Sequence, residues 1–233
     1  MKPIKKIIRT IIEWIYPSLL FANKSFSQDG EDMLLRAFYE GKKNYKGFYV
    51  DIGAHHPYRF SNTAFFYKKK WRGINIEPTP SLMGAFQRVR KRDINLNIGI
   101  SNSNSKLTFY EFNEPALNSF DKDLSKQRDQ DSSNNYKIIS EKEIQVNCLK
   151  DVLEKHLPKN QTIDFFNVDA EGRDLDVLES NDWNKFRPIY VLVEDLFNAE
   201  DSSSSKIYSF MVGKGYRLVG RSKRTFLFED NQQ

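Results

Sequence analysis

The sequence predicts an α/β domain built around a mostly parallel β-sheet, and three observations lead to that fold class. The first is an apolar run over residues 48–51, which ends in an acid and is followed by Gly53 and Pro57. Because these two residues bracket the run so closely, it suits a short buried strand better than a helix. The second is an alternation of strand and helix patterns along the chain. The third is a carboxylate at the end of each of four predicted strands.

Length and cysteine content limit the class of protein. A chain of 233 residues suits one domain with a peripheral extension. Its one cysteine, Cys148, excludes an intramolecular disulfide and a zinc cluster of thiolates, and it suggests a reducing compartment. Three histidines leave little for a histidine-rich metal site. We therefore expect a cytoplasmic protein.

The positive charge of the chain is concentrated at its beginning. Residues 1–24 contain five basic residues and one acidic residue, a net charge of +4, whereas the whole chain carries +5. The remaining 209 residues are therefore close to neutral. A near-neutral body with a basic tail is a poor match for nucleic acid, which requires a basic surface. We expect no nucleic-acid partner.

The first predicted element is an amphipathic basic helix over residues 4–20. Isoleucines recur there at helical spacing with Lys5, Lys6 and Arg9 between them, and Pro17 stops or kinks the helix. Charged residues and the proline interrupt the apolar run too often for a membrane span or a secretory signal. Two interpretations stay open. The helix packs on the domain or on a second protomer, or it attaches the chain to an anionic membrane surface.

The next elements form the first part of the predicted sheet. A helix starts near residues 27–31, where side chains can cap free backbone N–H groups. There follow a strand over 48–51, a helix from 61–63, a strand over 73–77, a helix over 79–91 and a strand over 94–100. This alternation predicts parallel strands with right-handed crossovers.

The second half of the chain interrupts this alternation and then resumes it. Residues 106–112 are predicted to form a strand outside the main sheet, and the polar residues 113–143 form either a surface loop or a lid over a substrate site. The other predicted elements are strands over 143–149, 163–169 and 189–193, helices over 150–156, 172–180 and 203–213, and a closing hairpin of 216–220 and 225–229.

The acids at the strand ends suggest a ligand. Asp51, Glu77, Asp169 and Glu194 would all lie at one edge of a parallel sheet, where open α/β sheets bind their ligands. Glu77 ends the second strand, from which an acid accepts hydrogen bonds from ribose hydroxyls in nucleotide-binding sheets. The turn at Gly53 lacks the further glycines of a pyrophosphate cradle. A ligand with a ribose and a cationic centre but no phosphate fits this edge, and S-adenosylmethionine has that profile.

Over residues 25–197 the sequence resembles the FkbM-type S-adenosylmethionine-dependent methyltransferases. The resemblance rests on the order and spacing of motifs at residues 27–32, 50–55, 61–63, 71–78, 118–120 and 168–172. It implies the Rossmann-like class I methyltransferase sheet, with seven mostly parallel strands and a C-terminal antiparallel hairpin. We accordingly predict an amphipathic helix over 1–24 and an FkbM-like methyltransferase domain over 25–233.

The resemblance also implies where the cofactor binds. The predicted cofactor-binding residues are Gln28, Glu31, Asp51, Gly53, Ala54, Asn62, Glu77, Pro78, Asn97 and Ser101. Those on the first strand and its turn would contact the methionine part, and Glu77 would hold the ribose. Asn97 or Ser101, near the end of the third strand, would border the adenine.

Methyl transfer to a hydroxyl is assisted by a base, and three residues compete for that role. His55 and His56 directly follow the cofactor turn, and an imidazole titrates near neutral pH. Asp169 ends the strand that lies close to the cofactor's methyl group in this fold. Glu171 lies in the same motif, where it either joins the chemistry or stabilises the N-terminus of its helix.

The same acids could instead bind Mg²⁺. Asp169, Glu194 and Asp195, with Glu171 beside them, offer hard oxygen ligands at the predicted sheet edge. An ion held there would orient two sugar hydroxyls.

The sequence therefore predicts an S-adenosylmethionine-dependent O-methyltransferase. The expected acceptor is a sugar hydroxyl of a surface polysaccharide, a glycolipid or a related small molecule, reached at the inner face of a membrane. One alternative is an RNA methyltransferase, which the near-neutral body disfavours. The other is a non-catalytic scaffold that retains the cofactor fold and is anchored through residues 1–24.

Overall fold

The computed structural model describes residues 2–196 and 204–232, and it places them in an α/β domain preceded by two helices. The helices are α1 (Lys2–Ile15), α2 (Pro17–Phe21), α3 (Glu31–Ala37), α4 (Ala64–Lys68), α5 (Pro80–Val89), α6 (Lys122–Gln130), α7 (Leu149–His156), α8 (Asp174–Glu179) and α9 (Lys206–Gly213). The strands are β1 (Phe48–Ile52), β2 (Arg72–Ile76), β3 (Ile94–Leu96), β4 (Gly99–Ile100), β5 (Ser105–Phe112), β6 (Ile138–Asn147), β7 (Phe165–Val168), β8 (Tyr190–Glu194), β9 (Tyr216–Arg221) and β10 (Thr225–Asp230). Residue 203, where the last helix is predicted to begin, lies outside the described residues.

Seven strands form one sheet with the order β3-β2-β1-β7-β8-β10-β9. The first five run parallel, and β10 pairs antiparallel with both β8 and β9. This confirms the predicted mostly parallel sheet with a C-terminal antiparallel hairpin. The chain builds outward from β1 through β2 to β3, and it later returns to the other side of β1 at β7. The carboxyl end of β1 is therefore the point at which the strand order reverses.

The central strands are buried on both faces. Every residue of β1, β7 and β8 is buried, as expected for parallel strands that are covered on both sides. One face carries a cluster of aromatic rings in which Trp71 lies 4.8 Å from both Tyr39 and Phe66, measured between ring centroids. Phe165 lies 4.9 Å from Phe66 in the same cluster. These contacts hold the helix α4 against the sheet.

The prediction of a single strand over residues 94–100 is wrong. β3 ends in the main sheet at Leu96, whereas β4 belongs to a second sheet with the order β4-β6-β5. The side chain of Asn97 donates to the carbonyl oxygens of Glu77 and Pro78 at 2.8 and 2.9 Å. Side-chain hydrogen bonds to the backbone compete with strand pairing in this way, and here they draw the chain out of the main sheet.

The polar residues 113–143 do not form an extended loop. They contain a 3₁₀ turn at Pro115–Leu117, the helix α6 and the first half of β6, which begins five residues before its predicted start. The Asp121 side chain caps α6 by accepting from the Leu124 N–H at 2.8 Å. Leu124 is the one apolar residue of α6, so the helix has no apolar periodicity for a sequence analysis to detect.

The two N-terminal helices are separated at Tyr16, because Pro17 begins α2. The predicted break at the proline is therefore confirmed. Within residues 2–196 and 204–232, no helix is both long and apolar enough to cross a membrane. The division into a helix over 1–24 and a domain over 25–233 stays a prediction.

The aromatic cluster provides a test of the packing between α4 and the sheet. We expect Phe66→Ala to lower the free energy of unfolding by about 3–5 kcal/mol, because it removes a fully buried ring and leaves a cavity. Urea denaturation measures the change. Tyr136→Ala is the control, since this ring is exposed and its removal should change stability by no more than about 0.5 kcal/mol. Equal effects of the two substitutions would contradict the described packing.

Candidate active site

A cavity opens at the carboxyl ends of β1, β2 and β7, where the strand order reverses, and the space within it and at its mouth, open solvent included, is about 840 Å³. Open α/β sheets bind their ligands at this position. Most of the sequence-predicted site residues lie here. Those that line the cavity are Gln28, Asp51, Gly53, Ala54, His55, Asn62, Glu77, Pro78, Asp169 and Glu171.

The turn after β1 leaves no room for a side chain. Gly53 has a φ of 73°, and a Cβ atom at this position would lie 1.7 Å from the carbonyl oxygen of Asp169. The N–H groups of Gly53 and Ala54 both donate to the Ile76 carbonyl, at 3.0 and 3.1 Å. The turn is therefore held between the ends of β2 and β7.

Asp51 is a buried carboxylate that joins three parts of the cavity wall. Thr63 Oγ1 donates to Asp51 Oδ2 at 2.7 Å, and Asn167 Nδ2 donates to Asp51 Oδ1 at 2.8 Å. Asn62 Nδ2 in turn donates to Asn167 Oδ1 at 2.8 Å. Burial raises the pKa of Asp51, and the hydrogen bonds from Thr63 and Asn167 oppose that shift. Because both oxygens already accept hydrogen bonds, Asp51 chiefly fixes residues 62–63 against β1 and β7.

Arg90 holds the start of the loop that leads to residues 62–63, a role that the sequence analysis did not predict. Its fully buried guanidinium donates to the Pro57 carbonyl at 2.7 Å, to Ser61 Oγ at 3.2 Å and to the Tyr49 hydroxyl at 3.0 Å. In the sequence Arg90 is one of several basic residues at the end of a predicted helix. Its partners lie 29 to 41 residues earlier, so no local pattern marks it.

Glu77 presents a buried carboxylate at the end of β2. Its Oε2 accepts from the His55 N–H at 2.9 Å, and its Oε1 accepts from the Thr79 N–H at 2.8 Å. Burial raises the pKa of Glu77 to about 7, although these hydrogen bonds favour the ionised form. Each oxygen keeps a further lone pair, so Glu77 can accept hydrogen bonds from a ligand in the cavity.

Three carboxylates converge where β7 and β8 end. Asp169, Glu171 and Glu194 each offer an oxygen within 4.8 Å of the others. Asp169 Oδ1 and Glu194 Oε2 are buried, and neither accepts from a donor group among the described residues. Burial, followed by the neighbouring carboxylates, raises the pKa of Asp169, and burial with Asp169 beside it raises that of Glu194 to about 11. The cluster therefore retains a proton that isolated carboxylates would lose.

Two arginines border this cluster. Arg128 donates to Glu171 Oε2 at 2.8 Å, and Arg224 Nε lies 4.0 Å from Glu194 Oε1. Arg128 belongs to α6, so the helix that the sequence did not predict supplies a counter-charge to the site.

Asp195, a predicted metal ligand, does not join the cluster. Its carboxylate accepts from the Ser205 hydroxyl, and its N–H donates to the Arg224 carbonyl at 2.7 Å. Successive side chains of a strand point in opposite directions, so Asp195 faces the start of α9 while Glu194 faces the cluster. The three acids that meet are therefore Asp169, Glu171 and Glu194, rather than the predicted set with Asp195.

The structure brings one of the two predicted histidines to the cavity. His55 lines it and stacks on Phe60 with ring centroids 6.2 Å apart, and burial lowers the pKa of His55 to about 4. His56 does not line the cavity. Its Nδ1 accepts from the N–H groups of Tyr58 and Arg59 at 3.1 and 2.9 Å, so it caps a turn.

Three predicted cofactor residues lie behind the cavity wall. Glu31 accepts from the Asp29 N–H at 3.0 Å and from the Ser222 hydroxyl at 2.8 Å. Asn97 shapes the backbone after Glu77, and Ser101 is buried beside β6 with its N–H on the Asn147 carbonyl. None of the three lines the main cavity.

The second sheet supplies a cover for the cavity. Asn118 Nδ2 donates to Thr79 Oγ1 at 3.1 Å, and Ser119 Oγ donates to the Glu171 carbonyl at 2.7 Å. Phe120 follows and also lines the cavity. The segment predicted as a loop or lid is therefore fixed to both edges of the site.

A smaller polar pocket of about 290 Å³ adjoins the cavity. The two share Gln28, Phe60, Asn62 and Asp169. The remaining residues of the smaller pocket are Asp29, Glu31, Glu194, Arg224 and Thr225. The acid cluster thus lies at the junction of the cavity and the polar pocket.

Comparison with protein families shows which family the sequence matches. Residues 51–218 match the family model described as the methyltransferase FkbM domain. The chain belongs to the FkbM methyltransferase family. The match runs from the end of β1 into β9, so it includes Glu77, the acid cluster and the cover of the cavity. The resemblance that the sequence motifs suggested is confirmed.

Comparison with individual proteins adds little to the family assignment. A Staphylococcus aureus protein described as a caffeoyl-CoA O-methyltransferase has a TM-score of 0.44 to this structure and 10% sequence identity, covering 95% of this chain and 91% of that chain. The sequence matches none of the curated proteins with which it was compared. The substrate of this FkbM-family chain therefore has to be argued from its own site.

Two glycines test the geometry of the turn after β1. We expect Gly53→Ala to prevent formation of the native FkbM-family domain or to destabilise it by more than about 3 kcal/mol, because Cβ would overlap a backbone carbonyl at a positive φ. Gly84→Ala in α5 is the matched control. Nothing lies within 4 Å of its Cβ position, so we expect a gain of about 0.5–1 kcal/mol. Thermal unfolding of both variants measures the contrast, and two changes of the same sign would contradict the described turn.

Proposed function

We propose that this chain is an S-adenosylmethionine-dependent O-methyltransferase whose acceptor is a polyhydroxylated compound of the sugar type. The family membership supports methyl transfer. The observation that carries the rest is the position of the acid cluster, at the junction of the cavity and the smaller polar pocket. A base at this junction would lie between a methyl donor in the cavity and an acceptor hydroxyl that reaches it through the polar pocket.

The chemistry of the cavity fits S-adenosylmethionine. When bound, this cofactor supplies a methyl group on a positively charged sulfonium. Four carboxylates line the cavity, and the lining residues within the described part of the chain include neither lysine nor arginine. Such a site favours a cation and disfavours a phosphate. Glu77 would accept hydrogen bonds from the ribose, and the apolar side chains near Pro78, Ile98 and Phe120 would border the adenine.

Asp169 is the base that we propose. Its Oδ1 is buried and accepts from no donor group among the described residues, and the neighbouring carboxyl group of Glu194 can share a proton with it through a hydrogen bond between the two side chains. When the two carboxyl groups share one proton, one of them is ionised. The raised pKa of this pair makes the ionised group a stronger base than an exposed aspartate. His55 is a poorer candidate, since a pKa of about 4 makes its imidazole a weak base.

Mg²⁺ binding is the other chemistry that the cluster could perform. Its three oxygens are close enough to coordinate one ion. Arg128 already pairs with Glu171, however, and Arg224 lies beside Glu194, so two of the carboxylates have a positive neighbour. We therefore propose transfer by a base without a divalent cation, and a chelator tests this choice.

The residues of the polar pocket are the basis for the proposed acceptor. Four acids and one arginine lie among its residues, and Arg224 is loosely held, 3.5 Å from Asp29 and 4.0 Å from Glu194. Hydroxyl groups donate well to carboxylates, whereas a phosphate backbone would be repelled. This charge pattern favours a neutral polyol over RNA.

Asp169→Asn tests the proposed base. We expect binding of S-adenosylmethionine to change by less than about threefold in calorimetry, while methyl transfer slows by about 10²–10⁴. Transfer is followed as labelled methyl groups entering a glycan and lipid extract of source cells that lack this chain. Asp195→Asn is the control and should retain transfer, because Asp195 lies outside the cluster.

Three results would contradict the proposal. Label that enters RNA but no glycan would favour the alternative acceptor. Activity that is lost in a chelator and restored by Mg²⁺ would make the cluster a metal site. A folded chain that fails to bind S-adenosylmethionine at millimolar concentration would support the scaffold interpretation instead.

The pKa of Glu77 predicts a pH dependence of cofactor affinity. We expect affinity to rise by up to about tenfold per pH unit below about pH 7 and to level off above it, because the ionised carboxylate is the better acceptor for ribose hydroxyls. Glu77→Gln should weaken binding and remove this dependence. Asp174→Asn is a matched control, since burial also raises the pKa of Asp174 to about 7 but Asp174 does not line the cavity. A dependence that follows Asp174 instead of Glu77 would contradict the assignment.

A further inference from the structure

We propose that residues 2–21 bind the surface of a membrane that contains anionic lipid, with α1 and α2 lying in the plane of that surface. The proposal stands on an exposed apolar stripe, on the charge of the segment and on its connection to the active site.

The apolar stripe is not covered by the domain. Eight large apolar side chains within residues 7–21 are half exposed or more, from 50% for Ile8 to 86% for Trp14. The exposed members are Ile7, Ile8, Ile11, Trp14, Ile15, Tyr16, Leu19 and Phe21. A stripe of this size in water is costly, and contiguous exposed apolar surface marks an interaction site.

The charge of the segment favours an anionic surface. Five basic residues and one acid give residues 1–24 a net charge of +4, against +5 for the whole chain. Arg9, which is exposed, lies on the side of α1 opposite Ile7, Ile11 and Trp14 at helical spacing. A helix with an apolar face and a basic face lies in the interface of an anionic bilayer, and Trp14 and Tyr16 are residue types that are enriched there.

The length of the helices agrees with this orientation. α1 has 14 residues, so it is about 21 Å long, shorter than the hydrocarbon core of about 30 Å. Six isoleucines between Ile4 and Ile15 lower its intrinsic helix propensity. A short helix of this composition is marginal in water, and burying its apolar face would stabilise it.

A second copy of the chain is a poorer occupant of the stripe. The apolar face spans residues 7, 8, 11, 14 and 15, which is wider than the narrow seam of a two-stranded coiled coil. Specific pairing also relies on complementary charges beside the seam. Here nearly all charges are positive, so two paired copies would repel each other.

The segment is joined to the active site by a short connection. Residues 22–27 span at most about 20 Å. Ser25 and Ser27 donate to Asp32 Oδ1 at 2.6 and 2.9 Å, and the Phe26 carbonyl accepts from the Ser61 N–H at 2.9 Å. The next residue, Gln28, lines both pockets. Membrane binding would therefore hold the polar pocket near the lipid surface, and a lipid-linked acceptor follows if the proposed function is correct.

Tryptophan fluorescence of the full chain provides a direct test. Trp71 and Trp183 are buried, so a change in emission on adding vesicles reports mainly on Trp14. We expect a shift to shorter wavelength with vesicles of phosphatidylglycerol and phosphatidylcholine, and none with phosphatidylcholine alone. Trp14→Phe should abolish the shift while binding, measured by flotation, changes by less than about threefold.

Removal of charge tests the electrostatic part. The variant Lys5→Gln, Lys6→Gln, Arg9→Gln should lose about 100-fold in partitioning to the anionic vesicles, since each basic residue near the surface contributes about fivefold.

The matched control removes three exposed lysines from the domain and should change partitioning by less than about twofold. It combines Lys91→Gln, Lys106→Gln and Lys150→Gln.

Vesicle binding is measured without any substrate, so it fails or succeeds independently of methyl transfer. Full-length chain that does not float with anionic vesicles would overturn the proposal. Equal binding to neutral vesicles, or a triple variant that behaves like its control, would overturn the role of charge. Sedimentation that shows a dimer broken by Trp14→Asn would assign the stripe to a second copy instead.

Discussion

The candidate site depends on one buried carboxylate, that of Asp51. Removing a carboxylate from water is costly, and the cost is recovered only when both oxygens find donors. Thr63 and Asn167 supply those donors, so the loop after the cofactor turn and the strand β7 must meet at β1. Arg90 imposes the same kind of constraint on the other end of the loop, because a buried guanidinium also requires partners. The wall of the cavity is therefore specified by polar groups that cannot be left unpaired.

A second constraint is the crowding of acids at the sheet edge. Parallel strands that each end in a carboxylate bring those groups together, and burial then raises their pKa values. Such an edge accommodates a cationic ligand and a transferable proton more readily than a phosphate. Arg128 and Arg224 lie beside two of these acids and offset their negative charge. They come from α6 and from the turn before β10, outside the strands that carry the acids. The acids and the arginines beside them thus come from different parts of the chain.

The two ends of the molecule differ in their net charge. Residues 25–233 are almost neutral and contain an acidic cavity, whereas most basic residues of the first 24 positions and the exposed apolar stripe lie together in the first helices. The residues between the two ends are hydrogen-bonded to α3 and to the loop at Ser61. A surface that holds the N-terminal helices would therefore also orient the mouth of the polar pocket.

The sequence alone determined the features that are local. An apolar run with an acid at its end predicted β1 and β2, and the motifs around Gly53, Glu77 and Asp169 placed these residues at one cavity. These predictions held because burial and strand periodicity are properties of a few consecutive residues. The break at Pro17 is local in the same sense, since proline restricts its own backbone.

Tertiary structure decided whatever depends on partners far along the chain. Asn97 ends β3 because its side chain reaches the carbonyls after β2, and α6 exists although it has a single apolar residue. The direction of a side chain also separates Glu194, which joins the acid cluster, from its neighbour Asp195, which does not. Contacts of this kind join residues that are distant in sequence, so no short pattern encodes them.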